Sequence, residues 1–207
     1  MRVFFGGSFD PVHHGHIAVA RYLRDVGAKV FMLVSVNPPF REPPQVSAEH
    51  RMAMLHLALG ADKDVCVARG DSVCESPYTI DVLRSARSCL GNEAPLAWAL
   101  GSDQYAHLNT WREWEGLIEL AHLIVFPRLG MKERIHVEVS RRMDACHCAI
   151  DRLFSQPSGC VAEVASAPPE VSSTEIRSRL RKGKSVSGRL PESVLDYIHS
   201  QELYGAA

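Results

Sequence analysis

What most limits the folds open to this chain is a rhythm. Short, almost unbroken apolar runs alternate with stretches whose apolar positions recur every three or four residues. The first pattern belongs to a strand covered on both faces, the second to an amphipathic helix. Val3-Phe4-Phe5 stops at Gly6-Gly7, after which Val19, Tyr22, Leu23 and Val26 fall at i, i+3, i+4 and i+7. Gly27 closes that helix, and Val30 to Val36 is apolar nearly throughout before Asn37-Pro38-Pro39 ends it. This opening segment therefore reads as a βαβ unit.

The alternation continues. Ser47 is placed to cap a helix carrying Met52, Leu55 and Leu59, Val65 to Ala68 reads as a strand, and Pro77 precedes a helix with Leu83, Ala86 and Leu90. Leu96 to Leu100 is the next strand, helical pieces around Tyr105 and Leu117 follow, and Leu123 to Phe126 is another strand. Val139, Met143, Cys146, Ile150 and Leu153 keep helical spacing, and Cys160 to Val164 reads as a last strand. Pro168-Pro169 breaks the rhythm; Val171 to Leu180 and Pro191 to Leu203 read as helices around a basic loop, Arg181 to Arg189. The expected fold is α/β, a Rossmann-like doubly wound parallel sheet over residues 1–167 with a helical C-terminal appendage over 168–207, forming one domain across 1–207. The ligand site of such a sheet lies beyond the carboxyl ends of its strands.

Composition narrows the function classes. Lys plus Arg number 23 against 24 Asp plus Glu, a formal net charge of −1, so no global basic field favours nucleic acid, and any bound anion must be met by local groups. No run approaches the roughly 20 apolar residues of a membrane span. The six cysteines show no disulfide-framework spacing and no secretory leader precedes them, so reduced thiols and a cytoplasmic location are expected. A homo-oligomer is compatible with this sequence.

The densest chemical signal is Gly6-Gly7-Ser8-Phe9-Asp10-Pro11-Val12-His13-His14-Gly15-His16, between the first strand and first helix. Gly6 and Gly7 let backbone approach a ligand, Ser8 offers a hydroxyl, and the helix opening near Gly15 turns free N–H groups and its positive dipole end to the same space. His13 and His16, three apart, share a face of the first helical turn. These parts make a phosphate cradle with two imidazoles; a glycine-tolerant turn and a zinc pair are the alternatives, the latter without further ligands at the right spacing. The second signal is Val171-Ser172-Ser173-Thr174-Glu175-Ile176-Arg177. Ser172 and Glu175 have capping-box spacing and Val171 with Ile176 that of a hydrophobic staple. Ser173, Thr174 and Arg177 equally compose an anion site at a helix N-terminus. Cys146-His147-Cys148 with His136 lacks the second pair of a zinc site and reads as core, and the basic run Arg177 to Lys184 as a solvated helix end.

Taken together, Gly7 to His16 resembles the H-x-G-H signature of the nucleotidyltransferase superfamily, and Ser172-Ser173-Thr174-Glu175-Ile176-Arg177 its S-S-T-x-I-R partner. Between them, Ser76-Pro77-Tyr78-Thr79-Ile80-Asp81, Gly101-Ser102-Asp103-Gln104 and Leu108-Asn109-Thr110-Trp111-Arg112-Glu113-Trp114 are similar, in order, to segments of the bacterial nicotinate-nucleotide adenylyltransferases. Two departures stand out: Phe40 before Arg41 where that family usually has His, and Pro127-Arg128-Leu129-Gly130 where Arg-Pro-Gly is common.

The resemblance implies transfer of AMP from ATP to nicotinate mononucleotide, giving deamido-NAD and pyrophosphate in NAD biosynthesis. It implies catalytic roles for His13, His16, Arg177 and Arg41. Gly6, Gly7, Ser8, Phe9, Gly15, Gly101, Asp103, Ser172, Ser173 and Thr174 would surround ATP, and Tyr78, Thr79, Trp111 and Arg128 the acceptor. Mg2+ would arrive with ATP, without a dedicated protein metal site. The alternatives are nicotinamide mononucleotide or another phosphate acceptor, and a catalytically silent nucleotide-binding module. A site lined by backbone N–H groups would favour the nicotinate carboxylate, since the amide also needs an acceptor.

Overall fold

The computed structural model describes residues 1–36, 42–128 and 134–205. Its centre is a six-stranded sheet in the order β3-β2-β1-β4-β5-β6, every pairing parallel. The strands are β1 (Arg2–Gly7), β2 (Lys29–Val34), β3 (Val65–Arg69), β4 (Leu96–Gly101), β5 (His122–Phe126) and β6 (Val161–Glu163). The principal helices are α1 (His14–Asp25), α2 (Ala48–Leu59), α3 (Thr79–Leu90), α4 (Ser102–Ala106), α5 (Leu117–Leu120), α6 (Val137–Met143), α7 (Ser173–Arg181) and α8 (Glu192–Ser200).

Continuous apolar runs were needed because each strand serves two cores. On β1, Val3 joins the cluster built with α1, α2, α7 and α8, whereas Phe4 joins the cluster built with α3, α5 and α6. On β4, Ala97 and Ala99 face the first cluster, and Leu96, Trp98 and Leu100 the second. The helices after Pro168-Pro169 are integral to the first core: Ile176, Leu180, Val194 and Ile198 are buried among residues of α1 and α2.

The chain leaves β1 toward β2 on one side and returns to β4 on the other, so a crevice opens beyond Gly7 and Gly101, where the winding direction reverses. This is the position in which α/β sheets hold ligands.

Several elements differ from the sequence expectation. The ladder of β2 ends at Val34 rather than Val36, although the Ser35 N–H still donates to the Gly7 carbonyl at 2.9 Å. The single helix suggested by Val139 to Leu153 is broken into α6 and two 3-10 turns, Asp144–Cys146 and Ile150–Phe154. Between those turns His147 bridges Val161 in parallel and the Cys148 N–H donates to the Val161 carbonyl at 3.0 Å. The open edge of β6 captures this backbone, which helical spacing alone could not reveal. Cys160 and Val164 lie just outside β6; Cys160 N–H donates to His122 Nδ1 at 3.1 Å.

Candidate active site

The glycine-histidine loop spans from the end of β1 to the start of α1. A Cβ added at Gly6 would sit 2.7 Å from the Trp98 ring, so only glycine lets the strand pass over that indole. His13 is the N-cap of α1, its Nδ1 accepting the His16 N–H at 3.4 Å. The shared face expected of the two histidines is realised as a stack, centroids 3.7 Å apart and planes 17° apart. Burial, reinforced by the Arg128 charge, holds the His13 imidazole down to about 4. Burial, the neighbouring His13 and Arg128 hold His16 well below the ordinary value. Both rings are thus neutral at neutral pH, and the His16 Nδ1 is buried without a hydrogen-bond partner among the described residues.

The loop is held from beneath by buried polar groups. Arg51, 1% exposed, donates to four carbonyls: Ser8 and Ser35 at 2.7 Å each, Val46 at 3.2 Å and Ser47 at 3.3 Å. It thereby ties the glycine-histidine loop to the end of β2. Asp10, 4% exposed, accepts the Gln45 N–H at 2.9 Å and the Tyr204 hydroxyl at 2.7 Å.

The segment at the start of α7 docks onto the same loop. Ser173 Oγ donates to the Pro11 carbonyl at 2.9 Å, and Arg177 Nη1 to the Asp10 carbonyl at 2.6 Å, with Nη2 3.4 Å from Thr174 Oγ1. The capping box expected of Ser172 and Glu175 does not form: Ser172 is the N-cap without a side-chain cap bond, and Glu175 pairs instead with Arg189 at 3.0 Å and Arg179 at 3.9 Å. Two motifs far apart in sequence therefore form one wall.

Two cavities flank this wall. The larger, about 820 Å³, is lined by Tyr78, Thr79, Trp98, Trp111, Arg112 and Asp103; the smaller, about 590 Å³, by Phe9, His13, Gly15, His16, Gly101, Arg128, Ser172 to Glu175 and Arg177. Both include Gly6, Gly7, Ser8 and Gln104, so they meet above the end of β1. In the larger one the Arg112 guanidinium lies 4.9 Å from the Tyr78 ring centroid, and Ser76 Oγ donates to Asp81 at 2.6 Å.

Two of the expected site residues sit near the boundary between the cavities. Arg128, grouped by resemblance with the acceptor residues, lies on the histidine side, its Nε 3.0 Å from Asp103 Oδ1 and its N–H on Ser102 Oγ at 3.1 Å. The end of β5 faces the smaller cavity and carries Arg128 there. Asp103, grouped with ATP, lines the larger cavity near the boundary. Arg41 lies outside the described residues, as do Phe40, Leu129 and Gly130. Sequence reading missed Trp98, which looked like a strand residue only, Gln104 at the boundary, and Arg51 and Tyr204 beneath it; only Gln104 sat within a recognised motif. No three His, Cys, Asp or Glu side chains converge among the described residues as a metal cage would require.

Residues 4–179 match the cytidylyltransferase-like family. A Laribacter hongkongensis protein named "Probable nicotinate-nucleotide adenylyltransferase" is 40% identical over 97% of this chain and 92% of its own length. A Stenotrophomonas maltophilia protein of the same name is 35% identical over 99% and 96%. The solved Plasmodium falciparum nicotinic acid mononucleotide adenylyltransferase, complexed with NaAD, shares the fold with a TM-score of 0.77 at 18% identity, covering 100% of this chain and 98% of that one. Matched along nearly its whole length, with the histidine loop and the serine-arginine helix converging at the sheet's switch point, this chain belongs to the cytidylyltransferase-like family and, within it, to the nicotinate-nucleotide adenylyltransferases.

Proposed function

We propose that the protein transfers the adenylyl group of ATP to nicotinate mononucleotide, forming deamido-NAD and pyrophosphate. The observation that carries this reading is the pair of cavities meeting at Gly6, Gly7 and Ser8: one is aromatic and roomy, the other lined by imidazoles, hydroxyls and guanidinium groups. A donor and an acceptor seated in the two bring their phosphates together at the shared boundary.

The chemistry asks little of covalent catalysis. An oxygen of the acceptor phosphate attacks the α-phosphorus of ATP, a new P–O bond forms, and the bond to the β-phosphate oxygen breaks with its electron pair leaving on pyrophosphate. The acceptor phosphate is ionised at neutral pH, so no side-chain nucleophile or strong base is needed. What the chain supplies is alignment and charge stabilisation. His13 and His16, neutral at rest, donate N–H groups to the triphosphate, and the anion makes their protonation easier. Arg177 and Arg128 sit on the same side for the departing pyrophosphate, with Ser8 and Thr174 as hydroxyl donors and Ser173 holding the loop. Arg41 keeps the phosphate role that the family resemblance implies. Gly15, Gly101 and Ser172 border the nucleotide, and Phe9, buried against both His16 and Phe5, supports the loop from within. Mg2+ bound to the triphosphate supplies further charge neutralisation, with Asp103 as the carboxylate at the boundary. Trp111, Tyr78 and Thr79 line the larger cavity for the pyridine ring and ribose.

The test is product analysis by mass spectrometry with ATP, Mg2+ and equal nicotinate and nicotinamide mononucleotides. Predominant deamido-NAD with pyrophosphate is expected. Predominant NAD overturns the acceptor, and no dinucleotide overturns the reaction. His16→Ala should lower turnover about 100-fold or more, the order lost when one preorganised donor is removed; unchanged turnover removes His16 from the chemistry.

A further inference from the structure

Arg177 is bordered by a carboxylate that could disable it. Its Nη1 lies 3.8 Å from Asp10 Oδ2, and an arginine beside a buried carboxylate ordinarily closes into a two-pronged pair that consumes its donors. Here that closure is incomplete. Asp10 Oδ1 is taken by the Tyr204 hydroxyl at 2.7 Å, and Oδ2 accepts the Gln45 N–H at 2.9 Å. Arg177 turns its Nη1 to the Asp10 backbone carbonyl instead, and its Nε is buried without a hydrogen-bond partner among the described residues. A donor left unmade in a partly desolvated wall is costly unless an anion completes it.

Tyr204 is built for this contact. It belongs to the turn Leu203–Gly205 that follows α8, is 7% exposed, and holds a positive φ of 60°, a conformation a tyrosine adopts only when its surroundings demand it. The turn packs against α7, the helix that carries Arg177. One side chain therefore touches the histidine loop from the element that backs the arginine helix.

We propose that Tyr204 is a positioning residue for the ATP side of the site: by holding Asp10 Oδ1, it denies Arg177 the second prong of a bidentate pair, so the carboxylate meets the guanidinium only through Oδ2 at 3.8 Å and the unmade Nε donor stays open to the phosphates of the nucleotide. The inference rests on the adenylyltransferase reading above and adds a residue that touches neither substrate. Burial and the adjacent carboxylate both keep the phenol protonated, so the hydroxyl remains a donor across the working pH range.

The experiment begins with the wild-type protein and the product assay; absence of deamido-NAD there defeats the adenylyltransferase reading and not the positioning role. With activity in hand, Tyr204→Phe removes only the hydroxyl. The KM for ATP should rise about tenfold, the scale of one hydrogen bond to a charged group, while the KM for nicotinate mononucleotide stays within about twofold. An unchanged ATP KM, or equal rises in both KM values, overturns the proposal, because a merely structural tyrosine would loosen both cavities alike. A second measurement needs no variant. Hydrogen exchange of the peptide containing Leu203 to Gly205 in the wild-type protein should slow with Mg-ATP and not with nicotinate mononucleotide alone; no slowing with Mg-ATP overturns the role as surely.

Discussion

Because His13 is folded as a neutral ring into the wall proposed to meet the nucleotide, acid should unfold this protein through that group. His13 is 6% exposed, and its imidazole is held down to about 4 from an ordinary value of 6.5. Between those values the unfolded chain binds a proton that the folded one refuses, so stability falls as pH drops through that window and is fully present above it. Each unit of difference is worth about 1.4 kcal/mol, so His13 alone removes about 2 kcal/mol between pH 7.5 and pH 5, and about 3 kcal/mol once the pH is below both values. For a chain of this length 2 kcal/mol corresponds to a fall in Tm of roughly 4–8 °C. The control is His13→Asn, which retains an N-cap acceptor for the first turn of α1 while removing the titration. Urea unfolding of both proteins at pH 7.5 and pH 5 should show the wild type losing about 2 kcal/mol more than the variant. Equal losses would mean that His13 is already protonated in the folded protein, and the description of two neutral, stacked imidazoles awaiting an anion would be wrong.

Three further outcomes follow from the same geometry. Gly6→Ala drives a Cβ to 2.7 Å from the Trp98 ring, so it should cost about 1–3 kcal/mol of unfolding free energy by denaturant titration, with partial rescue by Trp98→Leu; a neutral Gly6→Ala refutes the close passage. Trp111→Ala should raise the KM for nicotinate mononucleotide about tenfold while leaving that for ATP unchanged, because Trp111 lines only the larger cavity; the reverse pattern would exchange the assignments of the cavities. Arg51→Met strips donors from four carbonyls beneath the loop and should destabilise by about 3 kcal/mol or more, read by thermal unfolding; a change under 1 kcal/mol would show that water or neighbouring groups replace it readily.

Much of the architecture was legible before any coordinate. Val3-Phe4-Phe5, Leu96 to Leu100 and Leu123 to Phe126 are apolar on successive residues because both faces of a parallel sheet are covered, and the helices between them carry their own spacing. The two motifs stood out because each packs several polar or glycine residues into a short stretch, Gly6 to His16 and Ser172 to Arg177, and their joint reading as phosphate contacts came from the family resemblance. Less visible were features settled by partners distant in sequence. Ser172 and Glu175 have capping-box spacing, yet Glu175 goes to Arg189. The stretch Val139 to Leu153 has helical spacing, yet the edge of β6 draws His147 and Cys148 into extended backbone. That Arg128 lies beside the histidines was set by the end of β5, which no local spacing shows.

The sequence by itself determined the α/β alternation and the two motifs, because periodicity and residue type are local properties carried by neighbouring positions, while the chemistry they support came from the family resemblance. Only the tertiary structure decided that the motifs share one wall, that two cavities meet above Gly6 and Gly7, and that buried Arg51, Asp10 and Tyr204 hold that wall in place. The physical reason is that a hydrogen bond or an ion pair is a matter of distance in space. Tyr204 and Asp10 lie 2.7 Å apart across 194 residues of chain, and no pattern of neighbours encodes that meeting.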